Sequence, residues 1–147
     1  MPDTTDIEYI SQESELIPQL KKTLENNGVL LVVPDALIFN RETAQPILLT
    51  TYRHQKPVFG YSLSYVKAGT LAAVYSTAKQ IAKQAGELAV KAEQVSSLLP
   101  PPQAPRYFSI TVNYQVARSL SLPILDEDAI DKKMHQAETS EHEVGRN

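Results

Sequence analysis

The chain has no cysteine and no tryptophan. Without thiols it can form no disulfide, no thiolate metal centre and no cysteine nucleophile, although this absence is neutral on compartment. Long hydrophobic runs are missing as well: the longest, such as VLLVV at residues 29–33, fall far short of a membrane span. Positive charge is scarce. Fourteen Lys and Arg stand against 17 Asp and Glu, for a net charge of −3, and no basic stripe is interleaved with aromatics, so nucleic acid is not an expected partner. The three histidines, His54, His135 and His142, are too scattered along the chain to suggest a metal site. Neither a G-x-G-x-x-G nor a Walker loop is present to cradle phosphate, and Ser62 and Ser64 lack the G-x-S-x-G elbow and a nearby histidine. These absences lead to the expectation of a non-enzymatic protein without cofactor or metal. The first residues, MPDTTDIEYISQESE, are acidic and lack the basic start and apolar core of a secretory leader, so the chain as written is expected in the cytoplasm.

What remains is the composition of a soluble globular protein, 42% hydrophobic and 21% charged over 147 residues, enough for one ordinary domain. Residues 7–10 are a short strand candidate. Ser14 is a candidate cap for a helix to about Asn26 with Leu16, Leu20 and Leu24 on one face. Pro18 argues for a start near Glu15 or later, and Gly28 for a left-handed C-terminal residue. The continuous apolar, valine-rich run at residues 29–33 has the pattern of a strand covered on both faces. Thr43 is the preferred cap of the next helix, which places Pro46 in its first turn and Ala44, Ile47, Leu48, Thr51 and Tyr52 on a buried stripe.

The segment KPVFGYSLSYVKAGTLAAVYST, residues 56–77, carries the most information. It reads as a buried strand at 57–61, a loop with polar and aromatic groups, a turn at Ala68-Gly69 and a second strand at 71–75. Two apolar strands of parallel type with a polar loop after the first make a ligand-binding edge rather than a catalytic centre. Thr77 and Gln80 form a capping box, followed by a stripe of Ile81, Ala82, Ala85, Leu88, Ala89 and Ala92 suited to close packing on a sheet. LPPPQAP at residues 99–105 is a stiff connector. A strand at 106–112 and a short helix capped by Asn113 follow, with Val116, Ala117 and Leu120 inside. From Asp126 the chain is charged and poor in aromatics, expected to add a helical turn and then fray. The alternating order predicts an α/β fold: an open, mainly parallel sheet with helices on both faces. Residues 1–125 would form one ligand-binding lobe, and 126–147 a partly disordered tail.

Two long stretches, VVPDALIFNRETAQPILLTTYRHQKPVFGYSLSYVKAGTLAAVYSTAKQIAKQAGELA and RYFSITVNYQVARSLSLPI, carry a resemblance. Their order of strand ending in Pro, helix, P-V-F-G strand, A-G-x-L-A turn, I-x-x-Q-A-G-E-L-A helix and V-A-x-x-L-x-L helix resembles the ABC-transporter substrate-binding proteins, of the type that includes tryptophan- and phenylalanine-binding members. The resemblance spans roughly residues 7–124 and implies the carboxyl-side Rossmann-like lobe of a type I periplasmic-binding-protein fold. It further implies a small-molecule ligand such as an amino acid, an ABC permease as partner and a periplasmic location. In such proteins two lobes close on the ligand, and this chain matches one of them, as a truncated form would. The family's cleft-facing loops map onto Pro34, Asp35 and Asn40 after one strand and Tyr61 and Ser62 after the next. Asp35 is expected to pair with a ligand donor, Asn40 and Ser62 to hydrogen-bond, and Tyr61 to stack. Where the family often has Thr-Asp-Asn and then an acidic residue, this chain has Pro-Asp-Ala and Tyr-Ser. A lobe without its partner would bare apolar surface, so a homodimer is expected. The rival readings are a sensory or regulatory small-molecule module, a non-functional fragment, and a small flavodoxin-like enzyme, for which SQESE is a poor phosphate loop.

Overall fold

A computed structural model describes residues 7–26, 28–36, 38–94 and 101–144. Their elements run α1 (Glu13–Asn26), β1 (Leu30–Leu31), α2 (Ala44–Arg53), β2 (Val58–Gly60), α3 (Leu63–Ala68), β3 (Ala72–Tyr75), α4 (Ala78–Gln94), β4 (Ser109–Val112), α5 (Tyr114–Ser119) and α6 (Glu127–Val144). The strands form one sheet in the order β1-β2-β3-β4, with β1 parallel to β2 and β2 parallel to β3. An open, mostly parallel α/β sheet is therefore the architecture. The chain divides into two compact units, Met1–Ala73 with Thr111–Leu125, and Val74–Ile110 with Asp126–Asn147.

In the first unit α1 starts earlier than its proline suggests. The Glu15 carboxylate accepts from the backbone N–H of Ser11 at 2.9 Å and of Gln12 at 3.3 Å, which satisfies donors that a helix start leaves orphaned. Pro18 consequently lies inside the helix. It sits on the exposed side, as does Ser14 one turn before it, so the carbonyl that loses its partner can turn to water. The opposite side of α1 behaves as its spacing predicts. Leu16, Leu20 and Leu24 are buried with Ile47 of α2, and Ile10, Ile17, Leu30, Ile38 and Phe39 pack around them. The αL reading of Gly28 turns on the backbone it shares with Asn27, which lies outside the described residues.

Two strand expectations are corrected. Residues 7–10 form no strand: Ile7 and Tyr9 are 70% and 88% exposed, and only Ile10 reaches the core, as a packing residue rather than a ladder member. The run at 29–33 is a strand only at Leu30–Leu31, and it is not covered on both faces. Val32 is buried, whereas Val29, Leu31 and Val33 are 51%, 66% and 54% exposed. The reason is position. β1 ends the strand order, so alternate residues face the helical core and open surface. The backbone follows the same division: Leu30 and Val32 donate to Pro57 and Phe59 of the neighbouring segment, which turns Leu31 to the outer edge.

The segment between β2 and β3 is a helix rather than a plain loop. Ser62 is the N-cap of α3, accepting from the Tyr65 N–H at 3.4 Å. Gly69 closes the helix with φ +125°, and its N–H donates to the carbonyl of Tyr65 at 3.0 Å. A residue with a Cβ is strained there, as the sequence turn at Ala68-Gly69 predicts. Asn113 caps α5 through Oδ1, which accepts from Gln115 and Val116, while its Nδ2 donates to the Val66 carbonyl at 3.1 Å. One side chain thus ties the end of α3 to the start of α5.

In the second unit the capping box forms as expected: the Thr77 N–H donates to Gln80 Oε1 at 2.8 Å, and the Gln80 N–H to Thr77 Oγ1 at 3.3 Å. The small-residue stripe of α4 is not buried, however, and Ile81 is 59% exposed. Its polar side makes the contacts instead. Gln84 brackets the extended segment, with Nε2 donating to the Ala104 carbonyl and Oε1 accepting from the Arg106 N–H. The Tyr107 hydroxyl donates to Glu87, and Lys83 Nζ lies 3.9 Å above the Tyr107 ring. After Asp126, where the sequence suggests a single turn, α6 runs from Glu127 to Val144, started by Asp126 Oδ1 accepting from the Ala129 N–H. Part of the connector, residues 99–100, lies outside the described residues.

Candidate functional site

The loop from β1 to α2 is built by its own short side chains. Asp35 Oδ1 accepts from the Ile38 N–H at 2.9 Å. Asn40 Oδ1 accepts from Glu42 at 2.8 Å and from Thr43 at 3.0 Å. Thr43, buried, donates its hydroxyl to the Ile38 carbonyl at 2.6 Å and accepts from the Asn40 N–H. α2 begins just after Thr43, and Pro46 falls in the first turn, but the Thr43 hydroxyl clasps the loop rather than capping the helix. Such turns are what Asn, Asp and Thr side chains do best.

This loop meets α3 through one long-range bond. The Tyr65 hydroxyl donates to the Phe39 carbonyl at 2.9 Å. The Tyr61 ring packs against the Tyr65 ring, with centroids 5.1 Å apart and planes tilted by 50°. Burial raises the Tyr65 hydroxyl pKa from 10.0 to about 12, helped by a side-chain hydrogen bond with Tyr61 and by that group's charge. The folded chain therefore keeps this proton where the unfolded chain has released it. Its contribution to stability is intact below pH 10.0 and is lost as pH rises towards about 12. Tyr65→Phe is expected to cost about 1 kcal/mol at neutral pH by removing the bond to Phe39. Denaturant unfolding across pH 8–12 should show a shallower alkaline loss in this variant than in the parent, and identical slopes would contradict the assignment.

Between α2 and α3 lies an open groove with a volume of about 730 Å³, within the range of small-molecule sites. All of its described lining residues belong to the first unit. Ala44, Gln45, Leu48, Leu49 and Tyr52 form one wall, and Ser64, Tyr65, Ala68 and Gly69 the other, with Val116 of α5. Phe39, Asn40, Arg41 and Tyr61 complete the lining. Tyr61 directly follows β2, so the groove opens at the carboxyl end of that strand, where open α/β sheets hold ligands.

Of the residues singled out from sequence, Asn40 and Tyr61 line this groove. Pro34 and Asp35 are exposed on the preceding loop and Ser62 caps α3, so none of those three belongs to the lining. Sequence reasoning does not single out Arg41, Leu48, Leu49, Tyr52 or Ser64 as ligand contacts. A signal for part of this set is present, since Ala44, Leu48 and Tyr52 repeat at four-residue spacing on one line of α2. Spacing alone assigns that line to the core. In the fold the core takes Ile47, Thr50 and Thr51, leaving Tyr52 at 53% exposure on the groove.

No group of three or more metal-ligating side chains is found among the described residues, and no described helix is long and apolar enough to cross a membrane. No protein-family description matches the chain, and no curated protein sequence does. Solved structures do match in fold. An ABC domain from Streptococcus pneumoniae in complex with L-Trp superposes with a TM-score of 0.61 at 15% identity, over 84% of this chain and 41% of that one. A ligand-free, open substrate-binding protein with adhesive properties from Clostridium difficile gives 0.61 at 21% identity, over 80% and 39%. A conserved domain protein from Vibrio cholerae gives 0.54 at 17% identity, over 78% and 38%. The chain shares the open α/β fold of part of each of these structures. It spans about two fifths of the length of each of these structures.

Proposed function

We propose that this chain is the solute-binding component, or one lobe of it, of an ABC-type uptake system, and that it holds a small organic molecule without transforming it. The observation that carries the reading is the groove between α2 and α3, lined mostly by apolar and aromatic residues, in a fold shared with solute-binding proteins. Amino acids are the first class to test, because one structural neighbour holds L-Trp. The permease partner and a periplasmic location follow from the same reading, as do ligand contacts from Pro34, Asp35 and Ser62 at the margin of the groove. A homodimer is proposed on the exposed apolar side of β1, Val29, Leu31 and Val33, and a strictly monomeric sedimentation coefficient at high concentration would remove it.

A thermal-shift screen with amino acids and other small metabolites tests binding. Ligand at about 100 times its Kd adds roughly 2.7 kcal/mol, a rise of several degrees in the midpoint of a chain this size. Uniform silence across the screen would overturn the proposal. Genes for a permease and an ATPase beside this one are expected for transport, and their absence would leave binding without the transport role.

A further inference from the structure

The small-molecule reading leaves the charge of the ligand open, and the lining of the groove narrows it. Arg41 is the one charged side chain among the described lining residues, exposed at the rim. No ion pair engages Arg41 among the described residues. The acids nearest in sequence, Asp35 and Glu42, are outside the lining. Much of the described lining is apolar and aromatic: Leu48, Leu49, Tyr52, Tyr65, Ala68 and Val116. Hydrogen-bond acceptors are few. Asn40 Oδ1 already takes two backbone N–H groups, which leaves Gln45, Ser64 and the tyrosine hydroxyls.

We infer that the groove selects an organic monoanion, an acid with an apolar or aromatic body and no ammonium group. The carboxylate would meet the Arg41 guanidinium, which presents paired donors suited to it, and the body would lie between Leu48, Tyr52 and Tyr65. A zwitterionic amino acid gains the same contact with Arg41, but it brings an ammonium into a groove whose described lining has no carboxylate to pair it and whose rim is already cationic. The ammonium then lies against a like charge at the rim with nothing in the described lining to offset it, which is unfavourable, so the amino acid should bind less tightly than its deaminated counterpart. A primary amine of the same body meets repulsion from Arg41 and no compensation.

This inference rests on the binding role proposed above, and the test separates the two. Three probes share a phenyl body and differ in charge: 3-phenylpropionate, L-phenylalanine and phenethylamine. Calorimetric titration of the full chain at neutral pH and low salt is expected to rank them in that order, with the acid at least fivefold tighter than the amino acid. Arg41→Gln should weaken the acid on the order of tenfold, as expected for loss of a charge-assisted bond, and remove the ranking. Arg41→Lys, which keeps the charge, should keep the ranking at lower affinity. Because Arg41 is exposed, the unfolding midpoint of each variant should match the parent, which confirms that the loss is local. L-phenylalanine binding as tightly as the acid, or an unchanged acid affinity in Arg41→Gln, overturns the inference while small-molecule binding stands. Silence towards the three probes with a response to an unrelated metabolite also overturns it alone. Silence throughout a broad screen removes the binding role itself.

Discussion

Leu24→Ala should lower the unfolding free energy by about 2–5 kcal/mol, the range for emptying a buried leucine site. Leu24 is 1% exposed and lies in the cluster that joins α1 to α2, with Leu16, Leu20 and Ile47 around it. A protein domain holds only about 5–15 kcal/mol in total, so the loss is a large share of what keeps the first unit folded. The cost has two parts: the apolar surface no longer withdrawn from water, and the cavity that neighbours on two helices cannot collapse to fill. The groove lies on the other side of α2, so softening this packing also loosens one of its walls. Urea unfolding followed by circular dichroism measures the change directly. A loss under about 1 kcal/mol would mean that α1 is not closed over α2 as described.

Gly60→Ala is the second large effect, and its cause is overpacking. A Cβ at Gly60 would stand 3.0 Å from the Tyr65 Cβ and 3.5 Å from the Thr70 Oγ1. The Tyr65 Cβ is fixed to the α3 backbone, so the short helix must move as a body to make room. Thr70 is completely buried and offers no slack. The expected loss is roughly 1–3 kcal/mol. Displacing α3 also strains the Tyr65 bond to the Phe39 carbonyl and shifts a groove wall, so ligand affinity should fall with stability. Gly86→Ala provides the opposite sign: Gly86 is inside α4, and a methyl group there would meet no atom within 4 Å. That exchange should gain about 0.5–1 kcal/mol through backbone entropy. Equal effects at the two glycines would contradict the close approach at Gly60.

The contrast between these glycines shows which features a sequence reveals. Local chemistry was legible. The Thr77–Gln80 box, the Asn113 cap and the positive-φ turn at Gly69 each depend on residues within three or four positions, and each forms. The leucine stripe of α1 was legible for the same reason, since helical spacing alone defines a face. The coverage of residues 29–33 was not, because burial of a strand depends on where it falls in the sheet. VLLVV reads the same at an edge as at the centre, and only the strand order makes Leu31 an exposed residue.

α3 was hidden for a different reason. LSYVKA has a single buried residue, Val66, too little periodicity to distinguish a six-residue helix from a loop. The groove was half legible: Tyr61 and Asn40 stand at loop positions that sequence can place, whereas Tyr52 becomes a wall only because α1 claims the neighbouring face of α2. Arg41, beside Glu42 in the loop before α2, carries no signal until the surrounding aromatics are brought together. The α4 stripe shows the reverse error, since correct helical spacing predicted burial that the described residues do not supply.

The central claim is that the groove between α2 and α3 is where a small molecule binds. It is tested most directly by titrating the ¹⁵N-labelled chain with 3-phenylpropionate and with L-phenylalanine, following backbone amide shifts by NMR. The account predicts saturable shifts confined to residues 39–52, 61–69 and the neighbourhood of Val116 for at least one of them. Shifts that avoid those residues, or none at millimolar concentrations of either compound, would contradict it.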